Sequence, residues 1–363
     1  MPAPLDAPTV LSLGESSNGA PVLASPTVVA ALSAAAGVTG FGTDAAATLD
    51  WAVTVGASRP AERPLVDDWS LLASVAARDV AAARILEPHL DALDILAQAH
   101  HDGIDVELDA VGADAGSTWG VFAAEGPNAR LDAQLTPGGW RLTGTKPWCS
   151  LAEHLTHALV TAWTGDERRL FAVALQTAAV SARSGPWHAR GLSQVVSAPV
   201  DFSAATAVPV GDAGWYLRRP GFARGGVGVA ACWWGGALPL RTALLEATRR
   251  PAADQLSHTH LGRVDVALWS ARLTLQSAAR VMDDPGTPSS DPGTLATRTR
   301  TVVADAVELA LTETSRALGP LPLVADEAHA RRVADLQIYL RQHHADRDLA
   351  RIGTSVSEGR GAW

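Results

Sequence analysis

Apolar positions along the chain change period twice, dividing it into residues 1–109, 110–217 and 218–363. The first 25 residues carry Pro, Ser, Gly and Asn with little periodicity and are expected to be irregular. Ser25-Pro26 then predicts a helix start, with Ser25 as N-cap and Pro26 in the first turn, ending near Gly37. Thr43 or Asp44 is placed to cap a second helix reaching about Gly56. The strongest periodic segment is 67–100, where Leu71, Val75, Val80, Leu86, Leu90, Leu93 and Leu96 recur at helical spacing. Pro88 is expected to kink that helix or split it.

Between 110 and 217 the pattern shortens. Runs at 117–124, 140–145, 158–163, 170–175 and 195–202 read as strands, and Pro137-Gly138-Gly139 reads as a hairpin turn. Strands this closely spaced predict a central antiparallel β-domain, a sheet or barrel, instead of βαβ units. From 218 onward helical spacing returns at about 222–249, 254–282, 294–318 and 325–352. In the second of these, Leu261, Val264, Leu268, Leu275 and Met282 lie on one stripe. Four long helices with short connections predict a C-terminal four-helix bundle. The fold class is therefore α+β and multidomain: an N-terminal helical domain, a central β-domain and the bundle. There is no internal repeat.

Composition narrows the function classes. With 47% hydrophobic and 18% charged residues over 363 positions, the chain is globular. A net charge of −9 without a basic run argues against binding nucleic acid or an anionic membrane. Cys149 and Cys232 are the only cysteines, too few for a disulfide framework. The start shows no secretory pattern, and the most apolar stretch, 227–240, is too short to span a bilayer. A cytoplasmic location is the expectation.

Several motifs read as structural. Gly226-Val-Gly228-Val-Ala-Ala231 matches a dinucleotide fingerprint by letter, but no strand precedes it, so a small-residue helix face is expected. Neither Glu153-His154-Leu-Thr-His157 nor His258-Thr-His260 has the spacing of a good chelate, and no metal site is assigned. Cys149 lacks an evident activating partner. Two segments carry more. In 143–150 a strand is expected to end at Gly144-Thr145 and deliver the Trp148 indole and the Ser150 hydroxyl together. An indole can wall a flat ligand and a hydroxyl can bond a ring heteroatom; an ordinary turn with a buried Trp fits equally well. His343-His344 precedes Asp348, and a helix there would set His344 over that carboxylate, as in a proton-transfer pair or on a plain solvated face.

This order of parts resembles the acyl-CoA dehydrogenase flavoproteins. Gly144-Thr-Lys146-Pro-Trp148-Cys-Ser150 is similar to the family's G-x-K-x-W-[IC]-[TS] segment. Gly191-Leu-Ser, Val208-Pro209, Leu318-Gly319-Pro320 and 332–336 follow in the family's order. The segment 79–92, with Glu87-Pro-His89, is similar to the flavin-dependent monooxygenase branch. The resemblance implies FAD between β-domain and bundle, with Trp148 and Ser150 beside the flavin and Gly319 approaching it in a homo-oligomer. It implies α,β-dehydrogenation of an acyl thioester, with an electron-transfer partner. The family's catalytic glutamate has no clear counterpart; its C-terminal location falls near His343, making His343 or His344 the candidate base. The alternatives are a two-component monooxygenase using dioxygen on an aromatic substrate, or a non-catalytic partner subunit.

Overall fold

The computed structural model describes residues 10–14, 25–183, 185, 187–284 and 292–359. Four helices lead: α1 (Pro26–Ala36), α2 (Ala45–Ser58), α3 (Leu65–Arg78) and α4 (Val80–His101). Asp44 caps α2 by accepting from the Ala47 N–H, whereas Ser25 makes no side-chain cap to α1. The long periodic segment does divide, but at Asp79 and not at Pro88. Asp79 is extended, with φ −151°, and its carboxylate accepts from the Ala82 N–H at 2.8 Å. A cap supplies a partner for an orphan helical donor, and Pro88 is carried inside α4.

The β-domain has seven strands: β1 (Trp119–Phe122), β2 (Leu131–Thr136), β3 (Gly139–Ser150), β4 (His157–Thr164), β5 (Glu167–Ala174), β6 (Val180–Ala182) and β7 (Ser197–Val210). The path β4-β2-β3-β7-β5 closes because β5 also pairs with β4, giving a five-stranded barrel. Most pairings are antiparallel, and Thr136↔Gly139 closes the expected hairpin. Two are parallel, β1 with β4 and β2 with β4. β2 reads Leu-Asp-Ala-Gln-Leu-Thr, a short period-2 alternation that the sequence reading passed over.

A short α5 (Trp215–Arg218) leads into the bundle: α6 (Pro220–Thr248), α7 (Gln255–Asp283) and α8 (Pro292–Leu318). The fourth member is not the single helix expected over 325–352. It is α9 (Leu321–Ala325), α10 (Glu327–Tyr339) and α11 (Asp346–Ser357), with a turn of 3-10 helix at Leu340–Gln342. Asp326 caps α10, and Ala345, at φ +44°, breaks the chain before α11.

One apolar core runs continuously from α1–α4 through the barrel to the bundle. A second lies beneath the C-terminal half of α4, formed by Ala92, Ile95, Ala99, Trp119, Leu159 and Leu170. The glycine-rich segment 226–231 lies wholly inside α6. Its neighbour Gly235 shows what small residues do there: a Cβ would lie 2.1 Å from the Ala73 carbonyl oxygen of α3.

Candidate functional site

A cavity of about 1530 Å³ opens between barrel and bundle. A drug-sized ligand fills roughly 300–1,000 Å³, so this space suits one long ligand or two smaller ones. β3, α4, α6, α8, α10 and α11 all contribute to its wall.

On the barrel side, β3 does not end at Gly144-Thr145 as expected but continues to Ser150. Gly144, at φ +124°, makes an irregularity where a Cβ would meet the Arg130 carbonyl oxygen at 2.2 Å. A second register shift lies between Lys146 and Cys149. Trp148 sits in it with left-handed backbone, φ +59°, and an indole that is 60% exposed on the cavity. Such a conformation costs a side-chain-bearing residue about 1–2 kcal/mol, so its neighbours must hold it. Lys146, the chain's only lysine, is buried, with Nζ bonded to Glu125 (2.7 Å) and to the Thr161 hydroxyl (2.9 Å). Burial lowers its pKa against the raising effect of Glu125. Cys149 is fully buried on the other flank; burial pushes its thiol well above the ordinary range, so it packs and does not react. Two residues after Trp148, Ser150 also reaches the cavity. Its hydroxyl accepts from Arg84 (3.0 Å) and shares a 2.6 Å hydrogen bond with Ser197.

The helical side supplies charge. Arg84, Glu87 and Asp91 stand at i, i+3 and i+7 on α4 and all face the cavity. Asp91 pairs with Arg219 at 3.4 Å, and burial raises its pKa. Glu87 lies 3.5 Å from Arg84, with its side chain only 12% exposed. Burial pushes its carboxyl up to about 7, against the lowering effect of Arg84. Arg300 of α8 covers the Trp233 ring at 4.8 Å and donates to the Gln342 carbonyl.

The remaining residues singled out in the sequence are dispersed. His344 lines the cavity, but His343 does not: its ring is buried edge-on to Trp233. Both precede α11, so the helical i,i+4 geometry expected for them is replaced by a bend. Their Nδ1 atoms still face the buried Asp348, at 3.5 Å and 3.8 Å, and Arg351 pairs with it at 3.0 Å. Burial, then Arg300, lowers the His343 pKa. Gly319 ends α8 with φ +66°. At about 1.5 Å per residue along α8, it lies roughly 28 Å from Arg300, the last α8 residue that lines this chain's cavity. Among the described residues no three His, Cys, Asp or Glu converge as a metal site. Sequence reasoning assigned no role to Arg84, Glu87, Asp91, Arg219, Arg300 or Tyr339. The charged stripe on α4 was the available signal, but stripes of that kind usually face water.

No protein-family model matches the chain, and no curated protein matches it in sequence. Solved structures do match. KijD3, in complex with FMN and dTDP-3-amino-2,3,6-trideoxy-4-keto-3-methyl-D-glucose, is 20% identical with a TM-score of 0.77 over 94% of this chain and 95% of that one. The dibenzothiophene monooxygenase TdsC from Paenibacillus sp. A11-2 is 16% identical with a TM-score of 0.70 over 91% and 95%; it is also known with FMN and indole. Butyryl-CoA dehydrogenase from Megasphaera elsdenii is 16% identical with a TM-score of 0.73 over 93% and 100%. The chain has the acyl-CoA dehydrogenase-like fold.

Proposed function

We propose that this acyl-CoA dehydrogenase-like fold serves a flavin-dependent monooxygenase acting on a small organic substrate with dioxygen. The observation that carries the reading is the cavity wall. Trp148 is held in a costly backbone conformation with its indole exposed on the cavity, and Ser150 presents a fixed hydroxyl beside it. An aromatic face next to a hydrogen-bonding group suits an isoalloxazine ring. The similar structures KijD3 and TdsC hold FMN, so FMN is the favoured flavin over the FAD that the dehydrogenase resemblance implies. When bound in its reduced form, the flavin supplies the electrons that activate dioxygen. The chain's own groups do the rest. Trp148 covers the ring, Arg84 and Ser197 fix the Ser150 hydroxyl, and the apolar wall keeps water from the reaction.

The dehydrogenase reading is less well supported. Where the resemblance expects a glutamate, the chain has His343, which is buried away from the cavity lining. Association of the chain with itself is part of the proposal. Val266, Trp269 and Leu273 form an exposed apolar stripe at i, i+3 and i+7 on α7.

The test has two arms. Protein loaded with FMN is mixed with an acyl-CoA panel without dioxygen; no bleaching is expected. Reduced FMN and ¹⁸O₂ are then supplied with indole or a thiophene, and one labelled oxygen is expected in the product. Bleaching by an acyl-CoA would assign the dehydrogenase reaction instead. Failure to bind any flavin would favour the partner-subunit reading. In Trp148→Ala, flavin affinity should fall about tenfold, measured by flavin fluorescence.

A further inference from the structure

Glu87 is a buried carboxyl that no other part of the mechanism uses. Its side chain lies on the helical wall of the cavity, and every element packed there sets a group against it. Arg84 and Asp91 flank it on α4, and Cys232 faces it from α6. Arg300 approaches from α8 and the Tyr339 phenol from α10. Tyr216, with Arg219 beside it, stands further along the same wall. The Tyr339 hydroxyl is fully buried, lines the cavity and lies within reach of both Glu87 and Cys232. From that position it can also donate to a ligand oxygen or nitrogen on the cavity side.

We propose that Glu87 is the proton acceptor for the substrate. The substrate would then be a weak O–H acid, such as a phenol or an enol, that reacts as its anion. This rests on the flavin reading above. In the step, the substrate O–H bond breaks and its electron pair stays on the oxygen. The proton passes to a Glu87 carboxylate oxygen, and nothing is oxidised or reduced. The new anion faces the Tyr339 hydroxyl, with the Arg84 and Arg300 guanidiniums nearby. Charge selects this class over an ammonium substrate. Arg84, Arg219 and Arg300 already outnumber Glu87 and Asp91 on this wall, so a further cation is disfavoured and an anion is favoured. Burial holds the carboxyl near 7, where a general base is most effective.

The FMN-loaded protein, supplied with reduced FMN and dioxygen, would be tested with phenol against anisole, which lacks the transferable proton. Phenol should turn over at least tenfold faster than anisole, with an acidic limb near pH 7 in kcat/KM. Glu87→Gln should bind FMN normally, lose kcat/KM by about 10²-fold or more and lose that limb. Glu87→Asp should recover part of the rate. A second readout needs no turnover: the infrared carbonyl band of a protonated carboxyl should titrate near pH 7, change on adding phenol, and vanish in Glu87→Gln. The assignment is overturned if Glu87→Gln keeps its rate and pH limb, if anisole reacts equally well, or if the band ignores phenol. Absent flavin binding in the parent protein would instead remove the reading beneath it.

Discussion

Glu87 places opposite demands on chemistry and on stability. Its folded pKa lies above the unfolded value of 4.5, at about 7. Between those values the native state holds a proton that the unfolded chain has lost, so stability falls as pH rises. The favourable neutral form is fully present below pH 4.5, and its contribution is lost as pH rises through 7. The difference is worth about 1–3 kcal/mol once the nearby guanidiniums are allowed for. Glu87→Gln should therefore be more stable than the parent at pH 8 and similar to it at pH 4.5. Urea midpoints at the two values check this, and an equal shift at both would contradict it. His89, two residues on, has the opposite sign. Burial, then Arg59, lowers its pKa to about 4. The native state therefore binds fewer protons than the unfolded chain between 6.5 and 4, and stability is lost as pH falls through that window.

At the scale of elements, helix boundaries follow side-chain caps more than breakers. Asp79 ends α3 and starts α4, and its carboxylate also pairs with Arg331 at 2.8 Å. Pro88 is tolerated because α4 is packed against two cores and the cavity wall. α6 depends on absent side chains. Gly235 lets it touch the α3 backbone, and the fit leaves no room for a methyl group. Gly235→Ala should cost about 1–3 kcal/mol through forced separation, although alanine is the better helix former by about 1 kcal/mol. Thermal unfolding would measure the net effect, and a stabilised variant would show that the contact is looser than described.

At the scale of the molecule, α10 ties the three parts together. Arg332 donates to the carbonyls of Ala76, Ala77 and Arg78 at the end of α3, and to Gly236 of α6. Asp335 accepts from the Leu192 N–H of the β-domain at 2.5 Å. Replacing Arg332 with Met leaves those helix-end carbonyls without a partner and should cost about 3 kcal/mol. Loss of flavin affinity should accompany the lowered Tm, because the cavity lies between the parts that α10 joins. Trp269→Asp, on the exposed α7 stripe, should shift the mass in light scattering toward the monomer without lowering Tm for the isolated chain.

The sequence determined the order of parts, because each part has its own hydrophobic period. It also placed Trp148 and Ser150 together, since they lie two residues apart, although it expected a turn there where the structure has a bulged strand. Neighbours in sequence could be read that way, but partners distant in sequence could not. The parallel pairing of β1 with β4 joins segments separated by the β2–β3 hairpin. The break before α11 falls inside the helix expected over 325–352, at Ala345 with φ +44°, a left-handed position the sequence does not mark. The charged wall of the cavity depended most on tertiary structure. Arg84, Glu87 and Asp91 form a polar stripe that would face water on an isolated helix. Packing of α6, α8 and α10 around that stripe buries Glu87 and raises its pKa, and the proposed role of Glu87 rests on that burial.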